Sequence, residues 1–311
     1  MSIDEAVRAA SARTLIATGV GFADGDYKPV EQINVSVLDY GFTRSDVTYD
    51  VVHVWDGRFF RLEHHLDRFL ASMAGLRMSI PHDRDAIRSI LMECVRRTGL
   101  REAYVAMLCT RGRPPAGVRD LRQCRNRFVA YALPFIWIAS PEKQQSGLAA
   151  AIASRPRIAP QSVDPTIKNY HWLDMERSLF EAYDAGADTV ILPSLDGTVT
   201  EGPGFNAFAV VNGTVVTPDS GVLEGITRQT VIDICGRNGI PVEVRPVPLA
   251  EFRDADEIFL TSTAGGVMPV TRLDGRILGN GAPGAMTMRI RDLYWTWHRE
   301  EAETTPVDYG C

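Results

Sequence analysis

Lysine is nearly absent from this chain. Of its 33 basic residues only Lys28, Lys143 and Lys168 are lysine, and the rest are arginine. Apolar runs long enough to span a bilayer are also missing, so no membrane contact is expected. The net charge of -6 gives no support to a nucleic-acid partner. Cysteine is sparse: Cys94, Cys109, Cys124, Cys235 and Cys311 are scattered and odd in number, which argues against a disulfide framework and against Cys-x-x-Cys metal sites. The start, Met1-Ser-Ile-Asp-Glu-Ala-Val-Arg8, lacks the apolar core of a signal peptide, and a reduced cytoplasm is the expected compartment. What remains is the composition of a soluble globular protein, 45% hydrophobic and 23% charged. Its 311 residues leave room for one large domain or two ordinary ones.

Scarcity gives each lysine weight. Lys28 follows Gly25-Asp26-Tyr27 and precedes Pro29, which reads as an exposed turn. Lys143 lies in the polar connector Ser140-Pro-Glu-Lys-Gln-Gln145. Lys168, in Asp164-Pro-Thr-Ile-Lys-Asn-Tyr170, sits between a loop and an amphipathic segment. A lysine can lose its proton and attack a carbonyl, and an arginine cannot. On spacing alone, Lys168 is equally a chance survivor of the arginine bias.

Asp24-Gly25, Asp56-Gly57, Asp196-Gly197 and Asn212-Gly213 mark hairpins. Val47–Trp55, Tyr104–Thr110, Phe128–Leu133, Leu148–Ser154, Thr189–Leu192, Phe205–Val211 and Glu257–Leu260 read as strands. Helical spacing covers Leu62–Leu76, Asp83–Thr98, Tyr170–Ala185, Thr227–Asn238 and Ala285–Glu301. Residues 1 to about 14 show no strand pattern and fit a short helix packed on a partner subunit. The mixture of hairpins and helices predicts a mixed α/β (α+β) fold in two domains. These are a smaller N-terminal one over 1–134, a linker over 135–147 and a larger one over 148–311 that carries Lys168.

Gly279-Asn-Gly-Ala-Pro-Gly284 matches a dinucleotide fingerprint, but one helix follows it and no second strand, so a turn entering a helix is expected. Glu63-His64-His65 does not chelate a metal readily, because adjacent helix residues do not share a face; a helix entry with ordinary polar contacts is expected, and no metal. Gly225-Ile226-Thr227 opens a helix and reads as a routine cap or as an anion site. Thr261-Ser-Thr263-Ala-Gly-Gly266 is a loop that lets a ligand approach the backbone closely. Glu201, in Thr200-Glu-Gly-Pro-Gly-Phe-Asn206, is a solvated turn acid or a carboxylate that holds a proton on a pyridine nitrogen.

Together these segments resemble fold-type IV pyridoxal-phosphate enzymes, the class IV aminotransferases, over about Gly19 to Arg291. Within them the likeness is greatest to (R)-selective amine transaminases. It is carried by Gly41-Phe-Thr-Arg44-Ser-Asp-Val-Thr-Tyr49-Asp-Val51, by Val163-Asp-Pro-Thr-Ile-Lys168-Asn169 and by Glu201-Gly-Pro-Gly-Phe-Asn206. The resemblance implies that Lys168 forms the Schiff base with pyridoxal 5'-phosphate and then moves protons. It implies that Glu201 pairs with the pyridine nitrogen, and that Arg68, Ile226, Thr227 and Thr263 take the phosphate. Tyr49, Val51, Tyr104 and Trp172 would line the substrate pocket. The implied assembly is a homodimer of two-domain subunits with the active site at the subunit interface, acting on a small-molecule amine and a keto acid by a ping-pong cycle. Arg119, in the basic loop after Arg111, matches a mobile arginine that turns in for carboxylates; a solvated loop residue fits equally. Arg44 stands where similar amine transaminases carry histidine, and it would either favour carboxylated substrates or be tied up by Asp46 or another acid. The alternatives are a D-amino-acid or branched-chain aminotransferase, a lyase like aminodeoxychorismate lyase, and a binding protein that holds the cofactor without turnover.

Overall fold

Four hairpins turn on Asp-Gly or Asn-Gly pairs in the computed structural model, which describes residues 19–310. Asp24, Asp56, Asn212 and Asp274 have φ of 57°, 48°, 50° and 49°, and each is followed by a glycine at positive φ. Two successive positive φ values match the right-handed twist of the flanking strands. The expected N-terminal helix and Cys311 lie outside the described residues.

One compact unit comprises Met1–Ile136, Ile167–Tyr170 and Glu300–Cys311; the other comprises Trp137–Thr166 and His171–Arg299. The first runs β1 (Val20–Ala23), β2 (Asp26–Pro29), α1 (Tyr40–Arg44), β3 (Val47–Trp55), β4 (Arg58–Phe60), α2 (Leu62–Gly75), α3 (Arg84–Thr98), β5 (Ala103–Thr110) and β6 (Arg127–Pro134). The second runs α4 (Pro141–Ser146), β7 (Leu148–Ile152), α5 (Leu173–Asp184), β8 (Thr189–Ile191), β9 (Glu201–Gly202), β10 (Phe205–Val211), β11 (Thr214–Thr217), α6 (Ile226–Arg237), β12 (Val242–Val244), α7 (Leu249–Arg253), β13 (Glu257–Ser262), β14 (Gly266–Leu273), β15 (Arg276–Ile277) and α8 (Ala285–Trp297). The last strand, β16 (Thr304–Pro306), returns to the first unit and pairs with β4.

The first sheet has the order β16-β4-β3-β5-β6-β1-β2 and is antiparallel throughout. Its interior strand β3 is buried on both faces. Val52, Val54, Val105 and Met107 meet Leu66 and Phe69 of α2 and Ile87 and Leu91 of α3 in the core. Asp83 caps α3 through Ala86 N–H at 2.8 Å, and Gly99 ends it at a φ of 68°. The second sheet runs β12-β11-β10-β13-β14-β7-β8, with β9 on β10 and β15 on β14, and mixes parallel with antiparallel pairs. Ala207, Ala209, Ile258 and Leu260 face one core. Alternate residues face the other way, where Phe208 and Phe259 stack with centroids 4.8 Å apart. The mixed α/β fold is therefore as expected.

Two helix ends depart from the periodicity. The helix expected from Tyr170 begins at Leu173. The cause is long-range: the Lys168 carbonyl accepts from Thr48 Oγ1 at 2.7 Å and from Tyr49 N–H at 3.3 Å, which holds the chain extended along β3. The helix expected to reach Glu301 stops at Trp297, after which the chain turns toward β16. Pro283 precedes the capping Gly284 rather than opening the helix. The glycine motif there is indeed a helix entry. Glu257 accepts from the N–H groups of Met286 and Thr287 at 3.0 and 2.8 Å, so the protein's own carboxylate occupies the anion position of α8.

His298 follows α8 and donates through Nδ1 to the Tyr294 carbonyl at 2.9 Å. Burial pushes its imidazole down to about 4, against the pull of that hydrogen bond. At pH above the ordinary histidine value of about 6.5, folded and unfolded chains are both neutral. Between there and about 4 only the unfolded chain takes the proton, so stability is lost as the pH is lowered, by on the order of 3 kcal/mol in all. In urea titrations between pH 7 and pH 5, His298→Gln is expected to remove this part of the slope; an unchanged slope would contradict a buried neutral imidazole.

Candidate active site

On α2, residues three and four apart share a face, so His65, Arg68 and Ser72 form one stripe. On β3, Thr48 and Asp50 share a face for the same kind of reason, with a period of two. These two polar rows meet in the first unit. Asp50 is fully buried. Its Oδ1 accepts from His65 Nδ1 at 2.7 Å, from Arg68 Nη2 at 2.9 Å and from Val51 N–H at 2.8 Å, while Oδ2 accepts from Arg68 Nε at 2.7 Å. Burial by itself would raise the Asp50 carboxyl, but the Arg68 charge and the hydrogen bonds from Arg68 and His65 outweigh it and hold it well below the usual carboxylate range. Burial also pushes the His65 imidazole down, against the attraction of Asp50 and with the Arg68 and Lys168 cations assisting. An ionised carboxylate only accepts, so the neutral imidazole carries its proton on Nδ1 and donates it to Asp50.

Lys168 is seated by the same pair of elements. Its carbonyl is held by Thr48 and Tyr49, and its N–H donates to Ser72 Oγ at 3.3 Å. Its Nζ lies 4.5 Å from the centroid of the Tyr49 ring. Tyr49 stacks on Tyr170 at 4.3 Å, and burial drives the Tyr49 phenol well above its ordinary value. Tyr49 and Val51 face away from the Asp50 side of β3. Tyr104 pairs with His53, and Tyr131 pairs with Ala106 opposite Val51, so both tyrosines share that second face.

In the second unit Glu201, Asn206 and Thr261 lie directly opposite one another across β9, β10 and β13, and so share one face. Glu201 is buried. Its Oε2 accepts from Leu223 N–H at 2.8 Å and from Asn206 Nδ2 at 3.4 Å, and Oε1 accepts from Arg157 Nε at 3.4 Å. Asp174 fixes Arg157 through Nη1 at 2.6 Å. The hydroxyl of Thr261 is buried without a hydrogen-bond partner. Gly225 opens α6 directly beside Asn206; a Cβ there would collide with the Asn206 amide oxygen. Ile226 and Thr227 form the first turn, whose amides have no partners within a helix, and Thr227 is buried. Thr263 is half-buried in the turn after β13. Trp172 precedes α5 and packs beside Gly204.

Of the residues singled out in the sequence, the first unit therefore groups Lys168, Arg68, Tyr49, Val51 and Tyr104, and the second holds Glu201, Ile226, Thr227, Thr263 and Trp172. Arg44 and Arg119 are exposed, and neither adjoins Lys168 in any contact described above. Arg44 lies over the Tyr40 ring, 3.6 Å from guanidinium carbon to centroid. Asp46 pairs instead with Arg111, at 2.7 and 3.0 Å, which removes the idea that it ties up Arg44. His65 makes more than an ordinary helix-entry contact. Asp50, Ser72 and Asn206 were not singled out, Thr261 entered only as part of a loop, and His65 only as a rejected metal ligand; the visible signal was Thr48 and Asp50 alternating inside a largely apolar strand. No cluster of His, Cys, Asp and Glu suited to a metal occurs among the described residues. A cavity of about 1030 Å³ lined by Phe22, His82, Arg113 and Phe128 lies elsewhere in the first unit and contains none of these groups.

The family model "Amino-transferase class IV" matches residues 48–273. A putative branched-chain-amino-acid aminotransferase of Methanocaldococcus jannaschii is 31% identical over 276 residues, covering 88% of this chain and 94% of that protein. A D-alanine aminotransferase of Bacillus licheniformis is 32% identical over 260 residues, covering 83% and 89%. The crystal structure of the branched-chain amino acid aminotransferase from Thermobaculum terrenum in its PLP-form superimposes with a TM-score of 0.83 at 29% identity, over 93% of this chain and 98% of that one.

A buried hydroxyl without a partner costs about 1–3 kcal/mol. Thr261→Val keeps the shape and removes that cost, so the cofactor-free protein is expected to gain about 1 kcal/mol in chemical denaturation. A loss of similar size would mean that the hydroxyl is already satisfied.

Proposed function

The chain belongs to the class IV aminotransferases, and from that premise we propose that it moves an amino group from an (R)-configured primary amine to a keto acid such as pyruvate by a ping-pong mechanism. The family works with pyridoxal 5'-phosphate, which when bound supplies a carbonyl for the amine and a ring that withdraws electrons. The residues present suit that group: a buried carboxylate at Glu201, an unsatisfied buried hydroxyl at Thr261 and a helix start at Ile226 and Thr227.

Each unit contributes its own roles in this reading. In the first, Lys168 Nζ would hold the cofactor covalently at its carbonyl carbon, the carbonyl oxygen leaving as water, and would carry a proton to and from the substrate carbon. Arg68 contributes a fixed cation for the phosphate. In the second, the Glu201 carboxylate would hold a proton on the ring nitrogen, and Arg157 and Leu223 N–H hold that carboxylate in place. Ile226, Thr227 and Thr263 add phosphate donors.

The face of β3 beside Lys168 is what supports an apolar amine. Tyr49, Val51, Tyr104, Tyr131 and Tyr170 are aromatic or aliphatic, while Arg68 is committed to Asp50 on the opposite face. Apolar bulk is therefore accommodated by the wall itself, and a carboxylate by a movable group such as Arg119 in its exposed loop, with Arg44 as the second candidate. A D-amino-acid or branched-chain aminotransferase is the second reading, favoured by the names of the relatives above. Exposed Val35, Val37, Leu38 and Phe42, in one stretch of the first unit, support a homodimer whose partner subunit completes the site. The free thiols Cys94, Cys109, Cys124 and Cys235 support a reducing, cytoplasmic home. No helix among the described residues is long and apolar enough to cross a membrane.

Half-reactions with (R)-1-phenylethylamine, its (S) enantiomer, D-alanine and L-leucine test the substrate. Conversion of the cofactor to its amine form is expected with the (R)-amine over the (S)-amine, whereas turnover with L-leucine alone would reject the reading. Lys168→Ala is expected to lower turnover about a thousandfold or more and to abolish the visible absorbance of the bound cofactor, with Lys143→Ala unaffected. Equal losses would count against Lys168. Arg119→Ala is expected to weaken keto-acid use more than amine use, and an unchanged ratio would remove its role.

A further inference from the structure

We propose that His65 is a positioning residue that acts through Asp50 to set the direction of Arg68 toward the cofactor phosphate. The inference rests on the cofactor reading above and extends it to a residue that touches neither cofactor nor substrate. His65 and Arg68 rise from one face of α2 and converge on a single carboxylate. Arg68 grips both oxygens of Asp50 through Nε and Nη2, so the guanidinium plane follows the carboxylate plane. The carboxylate plane is set in turn by His65 Nδ1–H and Val51 N–H, both on Oδ1. Fixing the plane fixes where the Nη1 edge of Arg68 points.

Folding alone does not account for this arrangement. The histidine is 2% exposed and the aspartate not at all. Burying an ionised carboxylate costs several kcal/mol before its partners offset it, and well-packed apolar side chains serve a core as well or better. A neutral imidazole suits the task because it orients the acid without adding a second full charge beside Arg68 and Lys168. It also leaves Asp50 with a net charge to give to Arg68.

Affinities of the cofactor-free full chain for pyridoxal 5'-phosphate and for pyridoxal, which lacks the phosphate, separate positioning from structure. His65→Leu is expected to weaken binding of the phosphorylated aldehyde roughly tenfold or more and to leave pyridoxal binding unchanged. His65→Asn, whose amide Nδ2 takes up the Nδ1 position, is expected to restore most of the loss, and Asp50→Asn to reproduce it. Equal weakening of both ligands, or no weakening of either, would overturn the proposal. Should His65→Leu fail to fold, the pair His65→Asn and Asp50→Asn decides: a phosphate-selective loss in the second alone supports it, and identical behaviour overturns it. A wild-type protein without preference for the phosphorylated aldehyde would instead sink the cofactor reading, and this one with it.

Discussion

The buried ionised carboxylate of Asp50 is the constraint on which the lysine-bearing unit depends. A charge in that position is tolerable only if its partners are placed well. Both side-chain partners come from α2, and they are three residues apart. That requirement fixes the helix in rotation and in height against β3. One turn beyond Arg68, the same stripe presents Ser72 to the Lys168 amide, and Thr48, two residues before Asp50, takes the Lys168 carbonyl. The lysine is thus located by backbone contacts, while its Nζ stays beside the Tyr49 ring.

The second unit uses a buried acid in a different way. Glu201 is held by a backbone amide, an asparagine amide and Arg157, and it heads a row of polar side chains that continues through Asn206 to Thr261. Phe208 and Phe259 continue the same face in apolar form. The start of α6 lies beside Asn206 in the middle of the row, where glycine is required because Asn206 leaves no room for a side chain. Acid, hydroxyl and helix start are three kinds of group that a charged, phosphorylated heterocycle can use.

Much of this was legible in the sequence, and for local reasons. The hairpins at Asp24, Asp56 and Asn212 were, because Asp-Gly and Asn-Gly adopt the positive φ pair that such turns need; at Asp196-Gly197 only the glycine has positive φ, and the turn at Asp274-Gly275 went unmarked. Strand β3 and helices α2 and α3 were, because burial imposes its period on the residues. Lys168 drew notice through rarity and Glu201 through its rigid surroundings. The Asp50–His65–Arg68 cluster was not, since a buried acid has meaning only once the helix is laid against the strand. His64-His65 invited a metal comparison, whereas the informative spacing was His65 to Arg68 to Ser72. The false helical start at Tyr170 has the same origin: the amphipathic pattern continues, but Thr48 and Tyr49 hold the backbone extended. Strand β16 is too short to show a period at all.

The account stands on Lys168 as the covalent attachment point of the cofactor. Borohydride reduction of the loaded enzyme, followed by peptide mass mapping, tests this most directly. A pyridoxyl adduct on the peptide containing Lys168, with Lys28 and Lys143 unmodified, is the predicted result. An adduct on either of those lysines, or none on any, would contradict it.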